Sequence, residues 1–199
     1  MDAVDQTKGN PPVFLLLIGT QVVCLLLALL GFYLASLKVV IIGDSVGLQV
    51  TIGIIGAMAT YGVMLSLTRS ETTLGKSMRR QSIALIPLFS RLSFFQLLLI
   101  SVVVGICEEL LFRGFLQSWL SELSSPLLGL LISAIAFALL HFSSWTNFFL
   151  TLGIGVVLGV VYQVSGSLLG VIIWHAVYDA IVLIVLTQYP HWLGIKIKE

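Results

Sequence analysis

The chain has 199 residues, 58% of them hydrophobic and only 10% charged, with ten Lys and Arg against nine Asp and Glu. Soluble domains of this size carry about 25% charged residues, so the composition excludes an ordinary soluble globule and a disordered chain. A net charge of +1 also excludes a nucleic-acid binder, which needs a basic surplus to neutralise phosphates.

The N-terminal MDAVDQTKGNPP leads into an apolar run of about two dozen residues, longer than the roughly 7–15 of a signal-peptide core, and reads as a retained membrane anchor. A membrane helix needs about 20 mostly apolar residues at 1.5 Å each to cross a core about 30 Å thick. Counting such runs predicts six spans, at residues 13–35, 46–67, 96–120, 127–142, 148–164 and 168–188. Between the second and third, residues 69–91 hold Arg69, Lys76, Arg79, Arg80 and Arg91 against Glu71. The positive-inside rule makes this basic loop cytoplasmic. Both termini are then cytoplasmic too, in keeping with Lys8, Lys196 and Lys198, and residues 83–89, with Pro87, predict an interfacial helix rather than a further span. The expectation is an all-α, polytopic integral-membrane bundle in the plasma (inner) membrane. It is a single membrane domain over 1–199, with anchor helices and the basic loop in 1–95 and the chemistry-bearing helices in 96–188. Cys24 and Cys107 sit inside apolar runs and form neither a disulfide framework nor a CxxC site.

Charge is most informative where it is scarcest. Between Glu122 and Lys196 the only formally charged residue is Asp179. The third span holds Glu108, Glu109 and Arg113, the fourth ends near His141, and the last holds His175 and Asp179. Ionisable residues at membrane depth cost about 2.5–3.5 kcal/mol each and face a cavity or a partner. Glu109 with Arg113, Phe137 with His141, and His175 with Asp179 are each four apart, so each pair shares one helix face. Measured from the non-cytoplasmic ends of their spans, Glu108 lies roughly 18 Å deep, His141 roughly 21 Å, His175 roughly 10 Å and Asp179 roughly 16 Å. These depths bring three polar stripes into the central half of the bilayer. One partition of roles follows. Glu109 and Arg113 neutralise each other, Phe137 is core, and Glu108 is free to deprotonate a water beside His141. His175, with a carboxyl four residues on, can polarise a carbonyl and stabilise an oxyanion. Such an assembly suits hydrolysis of a peptide bond drawn into the bilayer.

Three segments carry a resemblance. Glu108-Glu109-Leu110-Leu111-Phe112-Arg113-Gly114-Phe115, then Phe137-Ala138-Leu139-Leu140-His141, then the Gly166-Ser167-Leu168 turn with His175-Ala176-Val177-Tyr178-Asp179, resemble the signature motifs of the CAAX protease and bacteriocin-processing family of intramembrane proteases. The likeness spans residues 97–186. It implies a membrane endopeptidase similar to the one that trims prenylated CAAX proteins. Glu108 and His141 would then activate the water, His175 and Asp179 would form the oxyanion site, and Glu109, Arg113 and Phe137 would support it. Membrane lipid and a membrane-associated protein or peptide substrate are the implied partners. The family pattern has Asn where this chain has Asp179. Either Asp179 is protonated, or it orients His175, or it joins Glu108, His141 and His175 around a divalent cation such as zinc. Two other readings remain open at this point: a non-catalytic immunity or scaffolding protein with the same motifs, and an ion-coupled transporter using the buried acids and histidines as a relay.

Overall fold

The computed structural model describes residues 13–195, an all-α arrangement. Lys8, Lys196 and Lys198, which bear on the placement of the termini, lie outside the described residues. In chain order the helices are α1 (Val13–Ala35), α2 (Val46–Arg69), α3 (Thr73–Phe89), α4 (Phe94–Leu123), α5 (Pro126–Leu140), α6 (Trp145–Ser165) and α7 (Leu169–Gln188). A short 3-10 turn follows at Pro190–Leu193. Five of them, α1, α2, α4, α6 and α7, are long and apolar enough to cross a membrane. With 15 residues, α5 rises only about 22 Å and is the shorter apolar helix of the set.

Polar caps mark the boundaries. Ser93 and Gln96 form a reciprocal capping box at the start of α4, while Ser125 and Ser144 accept from backbone N–H groups at the starts of α5 and α6. Pro126 occupies the opening turn of α5, where its missing N–H costs nothing. The α6–α7 turn depends on Gly166, whose φ of 66° lies in the left-handed region. The first N–H groups of α7 are satisfied from outside the helix. The connection between α1 and α2 lies alongside, and the Val40 and Ile41 carbonyls accept from Leu168 and Leu169 at 3.1 and 2.9 Å.

The amphipathic helix α3 is longer than the interfacial segment expected at 83–89, because its first half is polar and invisible to a hydropathy scan. Arg79 on α3 donates to the carbonyls of Thr68 and Ser70 at 2.6 and 2.7 Å and so closes the C-terminal end of α2. Thr146 at the start of α6 accepts from Ser77 at 3.2 Å.

Apolar side chains cover the outside: Leu15, Leu26, Leu30, Ile55, Leu127 and Phe149 are all exposed. Polar and charged residues Ser101, Glu108, Glu109, Arg113, Gln117 and His175 are buried. This inversion of a soluble core is what a lipid-facing bundle requires. At the centre, α7 lies against α2 and α4, while α4 also meets α1 and α5. Close approach of α4 to α7 is set by Gly105, where an added Cβ would stand 2.9 Å from the Ala176 backbone nitrogen. This approach brings Glu109, one turn beyond Gly105, level with His175.

Candidate active site

The helix α4 changes character where its acids sit. Up to Glu109 it is α-helical, and Leu110–Gln117 is a π-helical stretch before the α form resumes at Ser118. Such wide turns concentrate at functional sites. Across this stretch Gln117 donates to the Gly159 carbonyl at 2.9 Å, and Ser118 shares a 2.8 Å hydrogen bond with the Tyr162 hydroxyl, tying the helix to α6.

Glu108 and Glu109 leave α4 in different directions. Glu109, fully buried, accepts from Arg113 Nη1 at 2.8 Å and lies 2.8 Å from His175 Nδ1 through the same oxygen. Arg113 donates onward to the Gly155 carbonyl at 3.1 Å and lies 4.5 Å above the centre of the Phe137 ring. A guanidinium taken out of water is thereby held by a carboxylate, a carbonyl and an aromatic face. The Phe137 ring also packs against the imidazoles of His141 and His175, at centroid distances of 4.6 and 5.9 Å.

Glu108 points toward the two imidazoles. Its Oε1 accepts from Gln21 Nε2 of α1 at 3.1 Å. Its Oε2 is buried without a hydrogen-bond partner, 3.5 Å from His141 Nε2 and 4.0 Å from His175 Nε2. The Nδ1 of His141 lies 3.0 Å from the Phe137 carbonyl. A carbonyl can only accept, so Nδ1 carries a proton, and Nε2 is the nitrogen turned toward Glu108 Oε2. His175 Nδ1 faces the Glu109 carboxylate and is likewise the donor, while its Nε2 lies 3.4 Å from Asp179 Oδ2.

His141, His175, Asp179 and Phe137 line a cavity of about 680 Å³, together with Tyr61 of α2 and Tyr178. Glu108 does not line it and is set behind the two imidazoles. Most of the lining is apolar, so the histidines and Asp179 open onto a greasy chamber.

Among the described residues no three or more His, Cys, Asp or Glu side chains form a group that could hold a metal ion. Each histidine engages Nδ1 with Phe137 or Glu109, which leaves both Nε2 atoms free, an orientation that metal-ligating histidines share.

The seven residues singled out from the sequence, Glu108, Glu109, Arg113, Phe137, His141, His175 and Asp179, thus occupy one cluster. Four features of it had not been anticipated. Gln21 reaches Glu108 from the anchor helix, Asn147 donates to the His141 carbonyl, the Gly155 carbonyl takes Arg113, and α4 turns π-helical. Gln21 had a readable signal, being an amide in the middle of an apolar span.

Comparison with known proteins agrees with this geometry. Over 97 residues the chain is 31% identical to the uncharacterized protein YpbD of Bacillus subtilis (strain 168), an alignment covering 47% of each chain. The chain thus spans about half the length of this curated relative. No solved structure matches it. Residues 90–181, which hold both acids, both histidines and Asp179, match the Rce1-like family of type II CAAX prenyl endopeptidases, and this segment is a domain of that family.

Proposed function

We propose that the protein is an intramembrane endopeptidase that hydrolyses a peptide bond of a membrane-associated, CAAX-type protein or peptide with a water activated by Glu108 and His141. The observation that carries this reading is Glu108 Oε2, buried and unpartnered 3.5 Å from His141 Nε2. A water entering beside this pair donates to Glu108 Oε2 and is oriented by His141. Glu108 takes one proton as general base and the hydroxide adds to the scissile carbonyl carbon. His175, protonated on both nitrogens, donates Nδ1–H to Glu109 and Nε2–H to the developing oxyanion. Asp179, 3.4 Å from Nε2, holds the ring turned toward the cavity and does not itself touch the oxyanion. When the carbonyl re-forms, the C–N bond breaks and the proton held by Glu108 passes to the departing amine.

The apolar chamber lined by α2, α6 and α7 would receive the lipid-associated part of the substrate. In this reading the basic face of α3 lies at the cytoplasmic surface of the plasma membrane, both chain ends are cytoplasmic, and the partners are membrane lipid and substrate.

The test uses purified protein in lipid nanodiscs and two fluorogenic peptides ending in a CAAX motif, one farnesylated and one not. Cleavage by the wild type and a loss of at least about a thousand-fold in kcat for Glu108→Gln supports the reading, since a general base and its water are both removed. Wild-type rates in Glu108→Gln, or no cleavage of either peptide by the wild type, overturn it.

A further inference from the structure

The anchor helix is the least chemical part of the sequence, yet it supplies the partner of the acid in the site. Along α1 the buried residues are Gln21, Cys24, Ala28 and Gly31, at spacings of three, four and three, which is a single helical stripe. Three of the four are small, and they set α1 against α4. The fourth is an amide, opposite Glu108. Gln21 is only 6% exposed, and its Nε2 donates to Glu108 Oε1 at 3.1 Å while its own Oε1 has no partner.

An anchor held by packing alone has no need of a buried amide, and half of this one is unsatisfied, which costs free energy in a nonpolar surrounding. The bond it does make divides the carboxylate. Oε1 is engaged by a neutral donor, and Oε2 is left to face His141 and His175. A Lys or Arg in that place would form an ion pair with Glu108, as Arg113 does with Glu109, and would quench it as a base. An amide orients the group and leaves its charge available.

We infer that Gln21 is a positioning residue for Glu108, holding the carboxylate so that Oε2 alone addresses the water, and that α1 is therefore part of the catalytic unit although it lies outside the family-matched segment. The inference rests on the proposed hydrolytic function for its kinetic consequence but not for the bond itself.

The experiment compares wild type, Glu108→Gln, Gln21→Leu and the control Thr20→Val, the last an exposed neighbour on α1 whose hydroxyl bonds only the Leu17 carbonyl. Leucine keeps the volume of Gln21 and suits a membrane helix, and thermal unfolding in the same nanodiscs verifies folding. Infrared difference spectra against Glu108→Gln isolate the carboxylate band of Glu108. Gln21→Leu is expected to shift this band and to lower kcat for the farnesylated peptide about ten- to a hundred-fold, the range of one hydrogen bond to a charged group, with KM within about two-fold. Thr20→Val should change neither. An unshifted band in Gln21→Leu overturns the inference, and so does a shifted band with wild-type kcat. A wild type that cleaves neither peptide sinks the hydrolytic reading instead, and the infrared comparison still decides the bond.

Discussion

The imidazole of His175 and the carboxylate of Glu109 meet at 2.8 Å across the α4–α7 interface, through the same oxygen that Arg113 holds at 2.8 Å. Glu109 is therefore more than the counterion of Arg113. It engages Nδ1 of His175 and so fixes which way the ring faces.

Replacing Glu109 by Gln separates these tasks from simple volume. The amide oxygen can still accept from His175, but the Arg113 charge is left buried without its partner. We expect a loss of about 3–5 kcal/mol in unfolding free energy, measured by denaturant titration in mixed micelles, together with reduced cleavage. Stability equal to wild type would contradict the assignment of Glu109 to Arg113.

The α4–α7 approach gives a second prediction. A side chain at Gly105 would press on the backbone at Ala176, beside His175, and backbone cannot rotate away. Gly105→Val should push the helices apart and lengthen the Glu109–His175 contact, destabilising the protein by about 1–3 kcal/mol as overpacking does. The activity lost should exceed that of an equally destabilising change on the lipid face, such as one at Leu26. Equal losses in the two would argue against helix approach as the determinant.

Asp179 offers a third. It lies 3.4 Å from His175 Nε2, with a side chain 27% exposed to the cavity. If it serves to orient a charged His175, the amide of Asp179→Asn can do part of the same work and also donate to an oxyanion. Activity within about ten-fold of wild type is expected, on the scale of one exchanged hydrogen bond, and Asp179→Leu should lose more. Asparagine and leucine variants that were equally inactive would indicate that the negative charge itself is required.

Chelation is the fourth. Because no three or more His, Cys, Asp or Glu side chains among the described residues form a group that could hold a metal ion, dialysis against a strong chelator should leave cleavage within about two-fold of its starting rate. Loss of activity restored by zinc would overturn that reading of the donor set.

How much of this could be read from the sequence follows the range of the interactions involved. The span 13–35 coincides with α1, and the other predicted spans fall within a few residues of their helices, because apolar runs and caps are local signals. The run predicted at 127–142 stops at Leu140. His141 leaves the helix with φ −94° and ψ 12°, and Asn147, six residues on, donates to its carbonyl. The first half of α3 was missed because Lys76, Arg79 and Arg80 lower its hydropathy, whereas the Thr72 cap and the Arg79 bonds to α2 hold it helical. The polar stripes at spacing four were legible. The link from Glu109 to His175 spans 66 positions and that from Gln21 to Glu108 spans 87, and no local pattern encodes a pairing at such separations.

The π-helical stretch Leu110–Gln117 gives α4 an uneven sensitivity to gene length. A π turn closes its hydrogen bonds one residue later than an α turn, so the loss of a single codon within 110–117 is one that the backbone ladder can absorb by relaxing to α, keeping the far half of the helix close to its present facing. The α-helical part of α4 before Glu108 has no such slack. There, everything beyond a one-codon deletion would swing by about 100° relative to α7, carrying Glu109 off His175 and Gln117 off the Gly159 carbonyl while leaving every reactive side chain present in the sequence. Such an allele would look intact in any inventory of motifs and would encode a protein whose two halves no longer face each other.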